Sequence, residues 1–140
     1  MIHYKSDGIF DASLEKIWRY MATDEHTHAA FKSFKILNES GNEVSFEAEI
    51  FGPDGKTTQK AIIKHTMNAP KGFATSMTGG PMDGANFRHT YIAMGEKTKV
   101  EMEGDFKPIP GMDEATQTKM IDEFFSTAFK EDNENLKKFK

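Results

Sequence analysis

The chain has 140 residues, enough for one hydrophobic core of ordinary size and too few for two. Eighteen Lys and Arg against 22 Asp and Glu leave a formal net charge of −4, without the basic stripe that neutralises phosphates, so nucleic acid is not an expected partner. With no cysteine, disulfides, thiolate metal sites and cysteine nucleophiles are excluded.

No segment approaches the ~20 apolar residues that span a bilayer, so stable membrane insertion is not expected. The opening MIHYKSDGIF lacks the basic start and apolar run of a secretion signal. A cytoplasmic protein, with a single domain over 1–140, is the expectation.

The first predicted strand is 2–10. Ser13 then offers an N-cap, and Leu14, Ile17, Trp18 and Met21 recur at helical spacing, with Glu15 in the first turn where negative charge is favoured. Trp18 is assigned to the structural core. DEHTHAAF (24–31) predicts a short second helix.

From Ser33 the period becomes two. Val44, Phe46, Ala48 and Ile50 alternate with Ser45, Glu47 and Glu49, as in a sheet with one dry face and one wet face. Turns at SGN (40–42), GPDG (52–55), APKG (69–72) and GEK (95–97) delimit strands near 34–39, 43–51, 57–67, 73–78, 86–94 and 98–106. Short turns between successive strands predict an antiparallel meander.

After FKPIPG (106–111) the period is helical to the end. Met112, Ala115, Met120, Ile121, Phe124, Phe125, Ala128, Phe129, Leu136 and Phe139 mark one broad apolar stripe. Asp113 and Glu114 open this helix and lysines close it, as its dipole favours. A helix over 113–139 would be about 40 Å long and is expected to lie across the whole sheet.

Three stretches carry a resemblance. FDASLEKIWRYMATDEH (10–26), GGPMDGANFRHTYIAM (79–94) and ENLKKF (134–139) resemble the START-like lipid-transfer and polyketide-cyclase superfamily, the helix-grip or SRPBCC proteins. Ser13 stands where those proteins often carry proline. The resemblance implies an α+β fold in which a curved antiparallel sheet of about seven strands wraps a long C-terminal helix, with one or two short helices after the first strand. It also implies an apolar tunnel between helix and sheet. Such proteins bind sterols, lipids, quinones, hormones or polyketides; some are cyclases or dehydratases, and a few activate a chaperone.

Strand parity names the residues expected to line that tunnel. On 57–67 the inward set is Ala61, Ile63, His65 and Met67, opposite Lys60, Lys64 and Thr66. Phe73, Thr75 and Met77 follow on the next strand. Phe87, His89 and Tyr91 are inward on 86–94, because Arg88 is costly to bury unpaired. Val100, Met102 and Phe106 complete the sheet wall, and Met120, Phe124 and Phe125 face it from the helix.

Rings, thioethers and a few hydrogen-bonding tips suit an apolar ligand with one or two polar groups. His65, Met67, Phe73, Thr75, Met77, Phe87, His89, Tyr91, Met102, Met120 and Phe124 are therefore the candidate ligand-binding residues. His65, His89 and Tyr91 are also the candidates for proton transfer in a cyclase or dehydratase, although no orienting carboxylate is identifiable beside them. A third alternative is a protein-interaction module of the chaperone-activator kind, using the outer sheet face. No cofactor is expected. The run Asp24-Glu25-His26-Thr27-His28 reads as a solvated loop rather than a metal site, because residues two apart on a helix face different ways. The expected partner is a small apolar ligand, and a homodimer is compatible with this reading.

Overall fold

A computed structural model describes residues 1–21, 28, 31–52, 55–68 and 71–139. The elements among them run β1 (Ile2–Phe10), α1 (Leu14–Met21), β2 (Phe31–Ser40), β3 (Glu43–Phe51), β4 (Thr58–Asn68), β5 (Gly72–Gly79), β6 (Asn86–Met94), β7 (Lys97–Phe106) and α2 (Glu114–Lys138). The strands form one antiparallel sheet in the order β1-β7-β6-β5-β4-β3-β2. Consecutive strands β2 to β7 neighbour one another as short turns require, while β1 returns beside β7 and leaves β1 and β2 as the edges. The α+β helix-grip architecture implied by the resemblance is the one observed.

Of the predicted second helix at 24–31, residues 24–27 and 29–30 lie outside the described residues, and Phe31 opens β2. Two of the predicted turns, at 52–55 and 69–72, also fall partly outside them.

Antiparallel register places partner side chains on the same face. Val44, His65, Thr75 and Phe87 therefore form one row across the concave face, and Met67, Phe73, His89 and Met102 form the next. Burial follows the parity read from the sequence: Ala61, Ile63, Thr75, Met77, Phe87, Tyr91, Val100, Met102 and Phe106 are all buried. The exception is β2, where Phe34 and Ile36 pair with the inward Ala48 and Phe46 yet remain 53% and 54% exposed.

That exception reflects where α2 sits. The sequence led to the expectation of a helix lying across the whole sheet; its backbone instead makes its closest approach to β1 and α1. Gly8 admits the helix: a Cβ there would stand 2.8 Å from the Phe129 ring. Phe129 then stacks on Phe10 at 4.5 Å between centroids, and Phe125 stacks on Tyr4 at 6.1 Å. Gly104 serves the same half of the sheet, since a Cβ there would fall 2.3 Å from Phe87 Cβ. Phe87, Phe106, Phe125, Tyr4 and Ile121 accordingly belong to one packed cluster under β1, β6 and β7. The same cluster continues under β3, β4 and β5 through the buried Ala48, Ile50, Ala61, Ile63 and Met77, and the strand left open is β2 beyond Phe31.

Asp113 caps α2 by accepting the Thr116 N–H at 2.7 Å. In α1, Ser13 Oγ accepts the Lys16 N–H at 3.3 Å as the sequence suggests. The buried face of α1, however, is Ile17 and Tyr20, while Trp18 is half-buried with its ring edge-on to Tyr91 at 5.7 Å.

Candidate functional site

Between the concave sheet and α2 lies a hollow of about 1720 Å³. Enclosed ligand sites usually measure ~300–1,000 Å³, and the excess here reflects an open side along β2, where half-exposed Phe34 and Ile36 line it. Every candidate ligand-binding residue reaches this space. His65 and Met67 do so from β4, Phe73, Thr75 and Met77 from β5, and Phe87, His89 and Tyr91 from β6. Met102 faces it from β7, and Met120 and Phe124 from α2.

The three candidates for proton transfer share the hollow without forming a relay through one another. His65 Nδ1 lies 2.7 Å from Thr75 Oγ1. Burial alone pushes its pKa down to about 4, so the imidazole is neutral at neutral pH. His89 stacks face to face on Phe73 at 4.7 Å, and Phe73 stands edge-on to His65 at 5.2 Å. The Phe73 ring thus separates the two histidines. The Tyr91 hydroxyl points to the Met21 sulfur at 3.5 Å; burial raises its pKa, and the Asp132 charge raises it further.

Asp132 belongs to a polar cluster absent from the sequence-based candidates. Tyr20 donates to Asp132 Oδ1 at 2.9 Å and accepts from Asn135 Nδ2 at 3.1 Å. His28 places Nδ1 3.1 Å from Glu131 and Nε2 3.6 Å from Asp132. Burial pushes the Asp132 carboxyl up to about 6, against the opposing pull of the His28 charge and the Tyr20 hydrogen bond. A signal for it existed. Ile121, Phe125, Phe129, Asp132 and Leu136 follow one helical stripe at steps of four, four, three and four, and a carboxylate on an apolar stripe marks a polar contact inside the fold.

The loop at 79–84 contributes Pro81 and Met82 to the rim. The loop at 108–111 contributes no lining residue: Gln117 ties it down, accepting the Ile109 N–H and donating to the Lys107 carbonyl. Among the described residues no cluster of His, Asp and Glu is arranged to hold a metal ion, and no helix is long and apolar enough to cross a membrane.

Solved structures with this arrangement include a START superfamily protein from Mycobacterium smegmatis, 13% identical, with all of both chains covered and a TM-score of 0.83. The fold is the START-like helix grip. A conserved protein from Geobacillus kaustophilus aligns over 98% of this chain and 96% of its own at 14% identity and a TM-score of 0.81. The Zhui aromatase/cyclase from Streptomyces sp. R1128 aligns over 96% and 90% at 12% identity and 0.69. No family model matches the chain, and no curated protein matches it in sequence. At these identities the START-like likeness concerns the fold, and the chemistry of the hollow has to be argued from its own residues.

Proposed function

We propose that the chain binds and carries a small, largely apolar molecule between the sheet and α2. The observation that carries this reading is a hollow of about 1720 Å³ whose wall is mainly apolar, with rings and thioethers prominent in it, and whose polar groups include His65, Thr75, His89, Tyr91 and Asp132. Burial of apolar ligand surface, at ~25 cal/mol per Å², would drive binding, and the tips would orient the bound molecule. The START-like fold supports the reading, because the same fold houses a named aromatase/cyclase.

The probe for the test is 1-anilinonaphthalene-8-sulfonate, followed by its fluorescence. Saturable binding is expected, and Met67→Trp, which puts bulk into the hollow from a half-buried position, should weaken it by about tenfold or more, or about 1.4 kcal/mol. Ile92→Trp, on the opposite face of the sheet, should leave it unchanged. No saturable binding, or equal loss in both variants, removes the proposal.

A second reading, an enzyme of the cyclase or dehydratase type, draws on the presence of Tyr91 and Asp132 in the same hollow. Both line the hollow, and a buried phenol or a carboxyl of raised pKa can pass a proton to a carbonyl oxygen. On that reading Asp132→Asn abolishes turnover of an aromatic polyketide while leaving probe affinity intact.

A further inference from the structure

The two edges of the sheet are finished differently. At β1, α2 packs on the strand and its rings stack on Tyr4 and Phe10, both buried. At β2 only Phe31, the first residue, is half-buried; the rest of the strand is exposed, Phe34, Ile36 and Leu37 included. β2 pairs with β3 alone, so one side of its backbone ladder has no strand beside it. Such an edge presents a row of N–H and C=O groups to any strand that fits it.

The charges of β2 are arranged to fit a copy of itself. Lys32 and Lys35 fall in the first half of the strand and Glu39 in the second, and none of the three has an ion pair among the described residues. The ion pairs of this region join β3 to β4 instead, Glu47 to Lys60 at 4.0 Å and Glu43 to Lys64 at 3.3 Å. Lys32 and Glu39 stand equally far from the midpoint of β2, and both line the hollow. Antiparallel pairing of two copies about a two-fold axis at that midpoint sets Lys32 of each opposite Glu39 of the other on one face. Parallel pairing would set lysine against lysine.

Other occupants fit less well. Register shifts between Phe31 and Ser33 and between Ile36 and Asn38 bend the strand, and bulges of this kind turn an edge away from an arbitrary flat partner. A second β2 carries the same bends, related by the same axis. Lys32 and Lys130 would draw an anionic membrane, but Glu39, Asp122, Glu123 and Glu131 line the same hollow and oppose it.

We propose that β2 is the contact strand of a homodimer, in which two copies pair these edges antiparallel and the sheet runs on from one chain into the other. The open side of each hollow lies along β2, so the dimer sets the two open sides against each other, and Phe34 and Ile36 of each copy extend the wall of the other. The dimer stands apart from the carrier reading, since its formation needs no ligand.

Sedimentation velocity over a range of concentrations tests it. One strand edge is small beside the ~1,600 Å² of a standard interface, so the mass should rise from one chain to two between about 1 and 100 μM. Glu39→Lys puts like charges opposite each other at both ends of the contact and should weaken the dimer about tenfold, because two exposed pairs turn from attraction to repulsion. Lys32→Glu should do the same, and the two changes together should restore association to within about threefold of wild type. Such a rescue cannot come from a folding defect. Lys35→Cys supplies a check without reversed charge: beside the axis, in a chain that otherwise lacks cysteine, it should form a disulfide between copies under mild oxidation, whereas Ile92→Cys on the convex face of β6 should not. A chain that stays monomeric throughout the range overturns the proposal. So does a dimer that ignores both charge reversals, a Lys35→Cys protein that cross-links no faster than Ile92→Cys, or a monomer that sediments with vesicles of equal parts phosphatidylcholine and phosphatidylserine.

Discussion

Two buried ionisable groups in the hollow make opposite demands on pH, and their opposition can be measured. His65 has a folded-state pKa of about 4 against 6.5 for an exposed imidazole. Its contribution to stability is complete above 6.5 and is lost as pH falls toward 4, because the unfolded chain takes up the proton first. Asp132 has a folded-state pKa of about 6 against 3.8. Its contribution is complete below 3.8 and is lost as pH rises through 6, because the unfolded chain releases the proton first. Between pH 7 and pH 4 the first effect is about 3 kcal/mol and the second about 2 kcal/mol, of opposite sign. The wild-type profile should therefore be nearly flat in this window apart from the background of exposed carboxylates. Urea unfolding of wild type, His65→Gln and Asp132→Asn at pH 4, 5, 6 and 7 reads the two effects separately, because the background cancels in each difference from wild type. The advantage of wild type over His65→Gln should shrink by about 3 kcal/mol on going from pH 7 to 4, while its standing against Asp132→Asn should improve by about 2 kcal/mol. Differences constant to within about 0.5 kcal/mol across the window would refute the reasoning, whatever their absolute size.

Three further outcomes bear on the scaffold. Gly8→Ala drives a methyl toward the Phe129 ring and should lower stability by about 1–3 kcal/mol, read as a lowered melting temperature. Thr98→Val removes the 2.9 Å hydrogen bond from a fully buried hydroxyl to the Ala12 carbonyl, and should cost about 1–3 kcal/mol in urea unfolding. Phe106→Ala, in the packed half, should cost about 3–5 kcal/mol, whereas Phe34→Ala at the open mouth should change stability little while weakening probe binding.

The sheet was legible where alternation was clean. In β3 to β7 the period of two reports a face directly, and His65, Thr75, Phe87 and Tyr91 point where their parity puts them. It was illegible in β2, because register shifts between Phe31 and Ser33 and between Ile36 and Asn38 break the alternation. Leu37, set in the second shift, is 50% exposed despite its apolar side chain. In α1, helical spacing marked Trp18 for burial, but Tyr20 takes the inner position because Asp132 and Asn135 engage its hydroxyl. Those partners lie more than a hundred residues away, and no local pattern announces them. The same distance hid His28, whose imidazole meets Glu131 and Asp132 across the fold.

Why the hollow exists at all follows from widths. Seven strands at ~4.8 Å spacing make a sheet about 29 Å across, whereas a helix with its side chains is about 10–12 Å in diameter. One such rod cannot cover that face, and α1, eight residues long, adds only about 12 Å of cover. The helix must therefore choose a side, and Gly8, Phe10 and Tyr4 choose β1 for it by offering a notch and two rings to Phe125 and Phe129. Beyond its reach Phe46, Met67 and Phe73 are left half-buried on the concave face and line the hollow. Moving the notch should move the hollow. Gly8→Phe combined with Phe129→Gly, which transfers the ring from helix to strand, should loosen the seat of α2 and change the affinity for anilinonaphthalene sulfonate far more than an equal stability loss introduced at Thr98. Equal effects would mean that the seat of α2 does not shape the hollow.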